Sequence, residues 1–531
     1  MNELPSQLTG VNTTDIPDAI RLGCRVMERV FNADDDRGVA FFGAQLWPAC
    51  RLDFSSCHSE AHVPGRHLNA LLNAEHALGT PLDERAVEAH ARAALFSFSG
   101  PVPLPLNRER IGGPLVYFCP HNLREGFHAL YALVRFRGSR EAADLAERSL
   151  AAITDFWKPD RGWDESRLQA AGVQLQACEG FLHGEARLLG PLVKYHRATG
   201  SASALELAKR FKEIALEHHF HADGSFDPNR FGTTHAHSIT CVLSSLAQLA
   251  EFLDDASLLA RVKAFYDNGL WHMRDEIGWS PESIGQRDTD RGEANNTGDI
   301  LETALILGMH GFAKCFHDAE RILRCHLLPS QLRDVSFAVA APNPSGCDGS
   351  RDVPGRLRGA FGFPSPYGHQ PVPNRHGTIL FNLDIVGGTV ASLCEAWRAA
   401  VTRTPDGLRV NLLFDRDTDL LRVRSPYTHP LLEITPKQSG TLLVRIPPWA
   451  RPKPPRIRSG KPPTVDGDFL RFDNPSPGKP LDIELVLHES ELCLDHLVHP
   501  KPIRVRLRGD CVVTMEGCGA ALRFFPDYGS A

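Results

Sequence analysis

A turn followed by an alanine- and leucine-rich helix recurs along this chain, and that repeat limits the fold more than any other feature of the sequence. It starts at Gly79 ("GTPLDERAVEAHA") and returns at Gly138 ("GSREAADLAER"), Gly200 ("GSASALELAKR"), Asp254 ("DDASLLARVKAF") and His317 ("HDAERILRC"), at intervals of 59, 62, 54 and 63 residues. Each interval is long enough for one helical hairpin and a loop. Such a hairpin cannot bury its apolar face alone and has to stack on its neighbours. Apolar residues in the units follow helical spacing. Ala142, Leu145, Ala146, Leu150, Ile153 and Phe156 make one stripe, and Ala204, Leu207, Ala208, Phe211 and Ile214 make another. About twelve helical segments lie between residues 16 and 401 on this test, among them 180–197 and 388–401. Six hairpins that close on themselves make an (α/α)6 barrel, and left open they make a solenoid. Five clear units and twelve helices favour the barrel over a solenoid or an irregular helical domain.

The pattern changes twice further on. Residues 341–377 are dense in glycine and proline and read as a long loop, a class that tends to be functional or disordered. After Arg403 the apolar period becomes two, in "GLRVNLLF", "LLRVRS", "GTLLVRIPPW", "LDIELVL" and "IRVRLRGDCVVTME". Short alternating strands between turn residues predict a C-terminal antiparallel β-sandwich. A chain of 531 residues is too long for one ordinary core. The expected division is a barrel over 1–403 and a sandwich over 404–531.

Bulk properties remove several function classes. The formal net charge is −6, which argues against a nucleic-acid partner, since that needs a basic stripe. Thirteen cysteines are scattered singly with no CxxC, so neither a zinc finger nor a disulfide framework is indicated. No apolar run reaches the roughly 20 residues of a membrane span. The opening "MNELPSQLTGVNTTDIPDAI" has no basic and then apolar leader. A cytoplasmic protein is the expectation, with a homodimer kept as the candidate assembly.

In a closed ring, equivalent helix ends converge, so polar residues at helix starts are the candidates for chemistry. Histidines cluster there: His62 with Arg66, His121, His183, and the pair His235 and His237 in "THAHS". Each alone has a plainer reading as a cap or a surface residue, whereas the set points to a pocket. The segment "GWSPESIGQRDTDRGEANNTGDILETALILG" (278–308) adds Glu282 and Glu293. Cleaving a glycosidic bond takes one group to protonate the leaving oxygen and another to attack or to activate water. Trp279 beside Glu282 would desolvate it and raise its pKa, which suits an acid. The competing reading is a pair of solvated loop glutamates. Asn295 and Tyr367 complete the candidate substrate contacts.

Several stretches, taken in order, resemble glycoside hydrolase family 127, the β-L-arabinofuranosidase family. They are "GRHLNALLNAEHALG", "LLGPLVKYHRATG", "THAHSIT", "GLRVNLLF" and "LLVRIPPWA", and the resemblance covers most of residues 40–450. It implies an (α/α)6 barrel followed by β-sandwich modules. It also implies a zinc site of one glutamate and three cysteines, one cysteine being the nucleophile. By the same resemblance Glu282 matches the general acid and His235 the pocket histidine. Glu293 matches the zinc glutamate, but Asn295 stands where a cysteine is expected. Where the paired cysteines are expected the chain reads "FNLDIVGG", with Asp384 as its one ionisable residue. Without thiolates that zinc site is poor, so no metal and no cofactor is expected.

The leading expectation is therefore a metal-independent glycoside hydrolase on a small plant or bacterial saccharide. Glu282 is the acid, Glu293 or Asp384 the base or nucleophile, and His235, His183 and Arg66 hold sugar hydroxyls or a carboxylate. A lyase or epimerase on a uronic-acid sugar is a second reading, since arginine, histidine and asparagine are at hand to neutralise a carboxylate. A barrel that binds glycans without catalysis is the third.

Overall fold

The structure is a computed structural model. It describes residues 15–515 except 286–290, 337, 365–377, 452, 454, 496, 497, 500 and 501. Twelve helices of nine residues or more lie among the described residues. They are α1 (Ile16–Met27), α2 (Val63–Leu78), α3 (Glu84–Ser97), α4 (Leu123–Arg137), α5 (Arg140–Phe156), α6 (Leu189–Thr199), α7 (Ala202–His218), α8 (Ala236–Leu253), α9 (Ala256–Asp267), α10 (Ala294–Met309), α11 (Lys314–Ile322) and α12 (Asp384–Ala399). The even-numbered helices pack in a closed ring. Each touches the next, from α2 through α4, α6, α8 and α10 to α12, and α12 returns to α2. The odd-numbered helices pack behind them: α3 on α2, α5 on α4, α7 on α6, α9 on α8, α11 on α10, and α1 on both α12 and α2.

The burial pattern explains this layering. In α8 every residue from Ala236 to Ala247 is buried, so the helix is enclosed on all sides. By contrast, α5 buries a single stripe of Ala142, Leu145, Ala146, Ser149, Leu150, Ala152 and Ile153 and leaves its other face to solvent. The repeat seen in the sequence marks the turns of this layering. Gly79, Gly138, Gly200 and Asp254 end α2, α4, α6 and α8 in the left-handed conformation, with φ of 61, 63, 76 and 52°. Asp83, Ser139, Ser201 and Asp255 then accept a backbone N–H to start α3, α5, α7 and α9. The fifth unit departs from the rule, because His317 lies inside α11.

Two helix expectations shift. The segment expected over 180–197 breaks at Gly184 (φ −101°, ψ −98°) into a short helix (Gly180–His183), a 3-10 turn (Glu185–Leu188) and α6. The helix expected from 388 already starts at Asp384. In the loop over 341–377, the described part holds a short helix (Val353–Leu357), and Arg356 in it donates to the carbonyls of Arg29 and Phe31.

The C-terminal region is rich in sheet. One five-stranded sheet runs in the order Thr464–Asp466, Phe469–Phe472, Leu442–Arg445, Gly407–Val410, Val401–Thr404. A second runs Arg416–Asp417, Leu421–Arg424, Leu432–Pro436, Leu481–Glu484, Arg456–Ile457. Both sheets feed one apolar cluster, which includes Val410, Val423, Ile434, Val444, Phe472 and Ile483. The expectation of purely antiparallel pairing needs one correction, since Gly407–Val410 and Leu442–Arg445 pair in parallel, with Leu408 opposite Leu442. These two strands are separated in sequence by strands of the other sheet, so no hairpin turn constrains them to run antiparallel. A smaller sheet (Glu489–Leu494, Ile503–Arg508, Cys511–Met515) follows. In its middle strand "IRVRLR", buried and exposed residues alternate, as its period of two requires. No helix among the described residues is long and apolar enough to cross a membrane.

A close contact between the backbones of two ring helices lies next to the polar centre described below. A Cβ on Gly65 would overlap the carbonyl oxygen of Glu125 and stand 2.8 Å from its carbon. Gly65→Ala should push α2 off α4 and cost about 1–3 kcal/mol, measured as a drop in the urea midpoint at unchanged slope. Unchanged stability would show that the two helices do not pack this closely.

Candidate active site

The ring helices begin differently from the outer ones. Side-chain oxygens cap α1, α3, α5, α7 and α9. All six ring helices start with no side-chain cap, at His62, Asn122, Leu188, His235, Glu293 and Leu383. Without a side-chain cap, first N–H groups turn to the backbone of neighbouring segments, Val63 N–H to His58 O, Ala236 N–H to Glu282 O and Ala294 N–H to Gly362 O, while the positive end of each helix dipole faces the mouth. Here these starts meet at one mouth of the ring, and acidic side chains gather among them.

At the base, Glu125 Oε1 accepts from three guanidinium groups: Arg66, Arg124 at 3.0 Å and Arg187 at 3.5 Å. Burial works against the Glu125 charge, but Arg124 and Arg66 outweigh it and hold the carboxyl well below the usual carboxylate range. Each arginine reaches a further helix. Arg66 donates to Asp384 Oδ2 at 2.8 Å, Arg124 lies 3.7 Å from Asp299 Oδ1, and Arg187 is 3.3 Å from His237 Nδ1. His62 bridges Asn122 Oδ1 (2.9 Å) and Asp384 Oδ2 (3.2 Å). Burial opposes the Asp384 charge too, yet Arg66 and His62 keep its carboxyl low. Burial and Arg187 push His121 and His237 well below the ordinary imidazole range, so both rings are neutral at pH 7.

Above this base lie the two glutamates. Glu293 Oε2 is 3.3 Å from His235 Nε2, and its Oε1 accepts from Asn295 Nδ2 at 3.0 Å. Burial alone would raise its pKa; the His235 hydrogen bond and charge overcome that and lower it. Glu282 sits on a loop whose backbone is pinned on both sides. Its carbonyl accepts from Ala236 N (3.0 Å), its N–H donates to Arg291 O (3.0 Å), and Ser283 bridges to His235. The Glu282 carboxyl lies 2.8 Å from Arg291 Nε and stays half-exposed. Burial raises its pKa, Arg291 lowers it, the Glu293 charge raises it, and the balance is upward. The two carboxyls therefore feel each other while their proton affinities are driven apart, the arrangement that separates an acid from a base.

The sequence candidates fall into distinct positions. His62, Arg66 and Asp384 form the buried base. His121, His183, His235 and His237 make a continuous set of rings, His121 to His183 at 4.6 Å and His183 to His235 at 5.3 Å. Trp279 is not part of it. The ring is fully buried, stacks on His499 at 5.1 Å and donates to Pro364 O at 2.9 Å. Its expected role as a wall of the pocket is corrected to a brace for the loop. His499 Nε2 lies 2.9 Å from Asp275 Oδ2, and the other Asp275 oxygen accepts from Ile277 and Trp279 N–H, so the C-terminal region steadies the segment that carries Glu282. Tyr367 lies outside the described residues. Sequence reasoning missed Arg124, Glu125, Arg187, Asp299 and Arg291. The available signal was a charged residue near the starts of α2, α4, α10 and α12, at Arg66, Arg124, Glu125, Asp299 and Asp384.

The zinc site implied by the family resemblance does not fit the residues present. Asn295 turns its amide to Glu293, and its Oδ1 is buried without a partner. A Cβ on Gly388 would run into that oxygen, so a side chain at that position would have to turn Asn295 away. Cys394 is buried on α12, with Arg398 and Glu395 as charged neighbours. One ligand atom each from His235, His237 and Glu293 lies within 4.8 Å of the others, as do those of His237, Cys241 and Asp299. Neither group supplies three thiolates, and Arg187 already shares His237 Nδ1.

No family model matches the sequence, and no curated protein matches it. Solved structures do. A family 127 β-L-arabinofuranosidase from Geobacillus stearothermophilus T6 aligns at TM-score 0.56 and 15% identity, over 93% of this chain and 80% of that one. A β-arabinofuranosidase of the same family aligns at 0.57 and 13%, over 94% and 81%. A glycoside hydrolase aligns at 0.53 and 14%, over 84% and 76%. At this identity the likeness is one of fold, and it extends from the helical ring into the sheets.

Asp299 gives a test of the base. Burial pushes its carboxyl up to about 7, against the pull of Arg124. The folded chain then holds a proton that the unfolded chain releases near pH 3.9, so this group's contribution to stability falls as pH rises from about 4 to about 7. Asp299→Asn should remove that loss, leaving the variant up to about 4 kcal/mol less sensitive to pH across the window. Parallel stability profiles for the two proteins would place Asp299 outside this environment.

Proposed function

We propose that this chain is a glycoside hydrolase acting on a neutral saccharide, with Glu282 as the general acid and Glu293 as the carboxylate that attacks or activates water. The observation that carries the reading is the pair itself. Glu282 has a raised proton affinity and Glu293 a lowered one, and both face His235. A carboxyl that holds its proton more tightly beside one that releases it more readily supplies both halves of glycosidic cleavage. The fold likeness to family 127 enzymes supports the class. The helical ring reads as an (α/α)6 barrel and the two five-stranded sheets as a sandwich, dividing near residue 403.

Glu282 delivers its proton to the leaving oxygen, and Arg291 then meets a newly formed carboxylate. Glu293 lies among uncapped helix starts, where its charge is stable without a proton. It faces the anomeric centre as positive charge develops there. His183 Nδ1 accepts from Glu179 N–H, which leaves its Nε2–H to donate to a hydroxyl group. Asp384 does not reach the reacting atoms; it positions Arg66 and His62.

The same geometry weighs against a uronic-acid substrate. Arg66, Arg124 and Arg187 all have carboxylate partners already. A substrate carboxylate would have to break one of these pairs to be neutralised, at the cost of a buried unpaired charge.

Glu282→Gln should lower kcat by about 10²- to 10⁴-fold on glycosides with poor leaving groups, and much less on aryl glycosides, whose leaving group needs no proton. Glu293→Gln should lower both. A chelator should leave the wild-type rate unchanged. A broad glycoside panel with folded protein supplies the measurement. Turnover in both variants equal to wild type would overturn the assignment.

A further inference from the structure

A pair of thiols meets at the rim of the histidine cluster. Cys119 follows the strand Leu115–Phe118 and starts the turn Pro120–Asn122, which carries His121 and Asn122. Cys178 follows the two-residue strand Gln174–Leu175 and precedes the short helix Gly180–His183, which carries His183. Their sulfurs are 3.6 Å apart although 59 residues separate them in sequence. The approach is held by backbone. Tyr117 pairs with Gln174 and Phe118 with Leu175 in parallel, and Gln176 N–H donates to Phe118 O at 2.8 Å. Two chain segments are thus kept in register one or two residues before Cys119 and two to four residues before Cys178. Close packing continues past them, where a Cβ on Gly184 would stand 3.2 Å from Pro120 Cβ and 3.6 Å from Cys178 Cβ.

We propose that Cys119 and Cys178 are a redox modification site, closing to a reversible disulfide when the chain meets a peroxide. A disulfide needs the sulfurs about 2.05 Å apart, a closure that rotation of two side chains supplies without moving the ladder. Cys178 is partly exposed and Cys119 is buried, which assigns the first step to Cys178. Its thiolate attacks one peroxide oxygen. An S–O bond forms, the O–O bond breaks, and water leaves after protonation. The Cys119 sulfur then attacks the sulfenic sulfur. The S–S bond forms, the S–O bond breaks, and a second water leaves. Two thiols lose two electrons and one peroxide gains them. Both the Cys119 S–H and the backbone N–H of His121 favour the thiolate at Cys178, whose pKa is lowered despite burial.

The bond would tie together two loops that both carry residues of the mouth. His121 Nδ1 lies 3.1 Å from His183 O, and Asn122 Oδ1 holds His62 at 2.9 Å. Oxidation therefore fixes the spacing between these loops at one edge of the pocket. This inference does not rest on the hydrolase reading. It concerns thiols that neither the acid nor the base touches, and its readout needs no substrate.

The test treats the full chain with hydrogen peroxide, blocks free thiols with an alkylating agent, and maps peptides without reduction. The expected result is a peptide joining Cys119 to Cys178, a loss of two titratable thiols from the thirteen in the chain, and recovery of both on adding dithiothreitol. Imidazole signals of His121 and His183 should shift with the oxidised fraction. Cys178→Ser should abolish the joined peptide, and Cys119→Ser serves the same purpose if the first variant does not fold. Both cysteines recovered alkylated, a Cys57–Cys119 link, or irreversible sulfinic acid at Cys178 as the sole product would each overturn the proposal.

Discussion

One buried oxygen, Glu125 Oε1, ties the ring together. Glu125 and Arg124 belong to α4. Arg66 comes from α2, and Arg187 from the turn that leads into α6. Through these three guanidinium groups the carboxylate reaches Asp384 of α12, Asp299 of α10 and His237 of α8. All six ring helices thus meet in one charge network. Removing one partner from a buried ion pair typically costs about 3–5 kcal/mol, a large share of the 5–15 kcal/mol that holds a typical protein folded. Replacing the whole network by apolar groups need not destabilise the chain. What the charges contribute is position, since each carboxylate is fixed relative to the other five helices.

That fixed frame explains why neighbouring carboxyls differ in proton affinity. Asp384 and Glu293 have cationic or hydrogen-bonding partners strong enough to outweigh burial, and their pKa values fall. Asp299 and Glu282 are desolvated with weaker compensation, and theirs rise. Helices with side-chain caps at this mouth would have spent their N–H donors internally. The outer helices do so with Asp15, Asp83, Ser139, Ser201 and Asp255. The ring helices start without such caps, and backbone carbonyls of neighbouring segments, such as Glu282 O at Ala236 and Gly362 O at Ala294, take N–H groups there.

Much of the fold was legible in sequence because its signals are local. The turns at Gly79, Gly138, Gly200 and Asp254 need the left-handed conformation, and helix caps follow them at once, so the repeat marks every passage from inner to outer helix over that stretch. Histidines at helix starts were legible for the same reason. The charge network was not. Arg124 and Glu125 look like ordinary charged residues near a helix start, and nothing local shows that they are buried. The partner of the Trp279 ring was not legible from its neighbours in sequence. Its ring turns instead to His499, which arrives from the far end of the chain. The parallel strand pair was hidden because period two shows that a strand exists and says nothing of its neighbour.

The central claim is that Glu282 and Glu293 share a pocket while their proton affinities are driven in opposite directions. Carbon-13 NMR of the glutamate side-chain carboxyls, assigned with Glu282→Gln and Glu293→Gln and followed through a pH titration, tests it most directly. The account requires Glu282 to titrate above the ordinary glutamate range and Glu293 below it, with each signal responding to loss of the other residue. Two independent titrations in the ordinary range, or the reverse order, would contradict it.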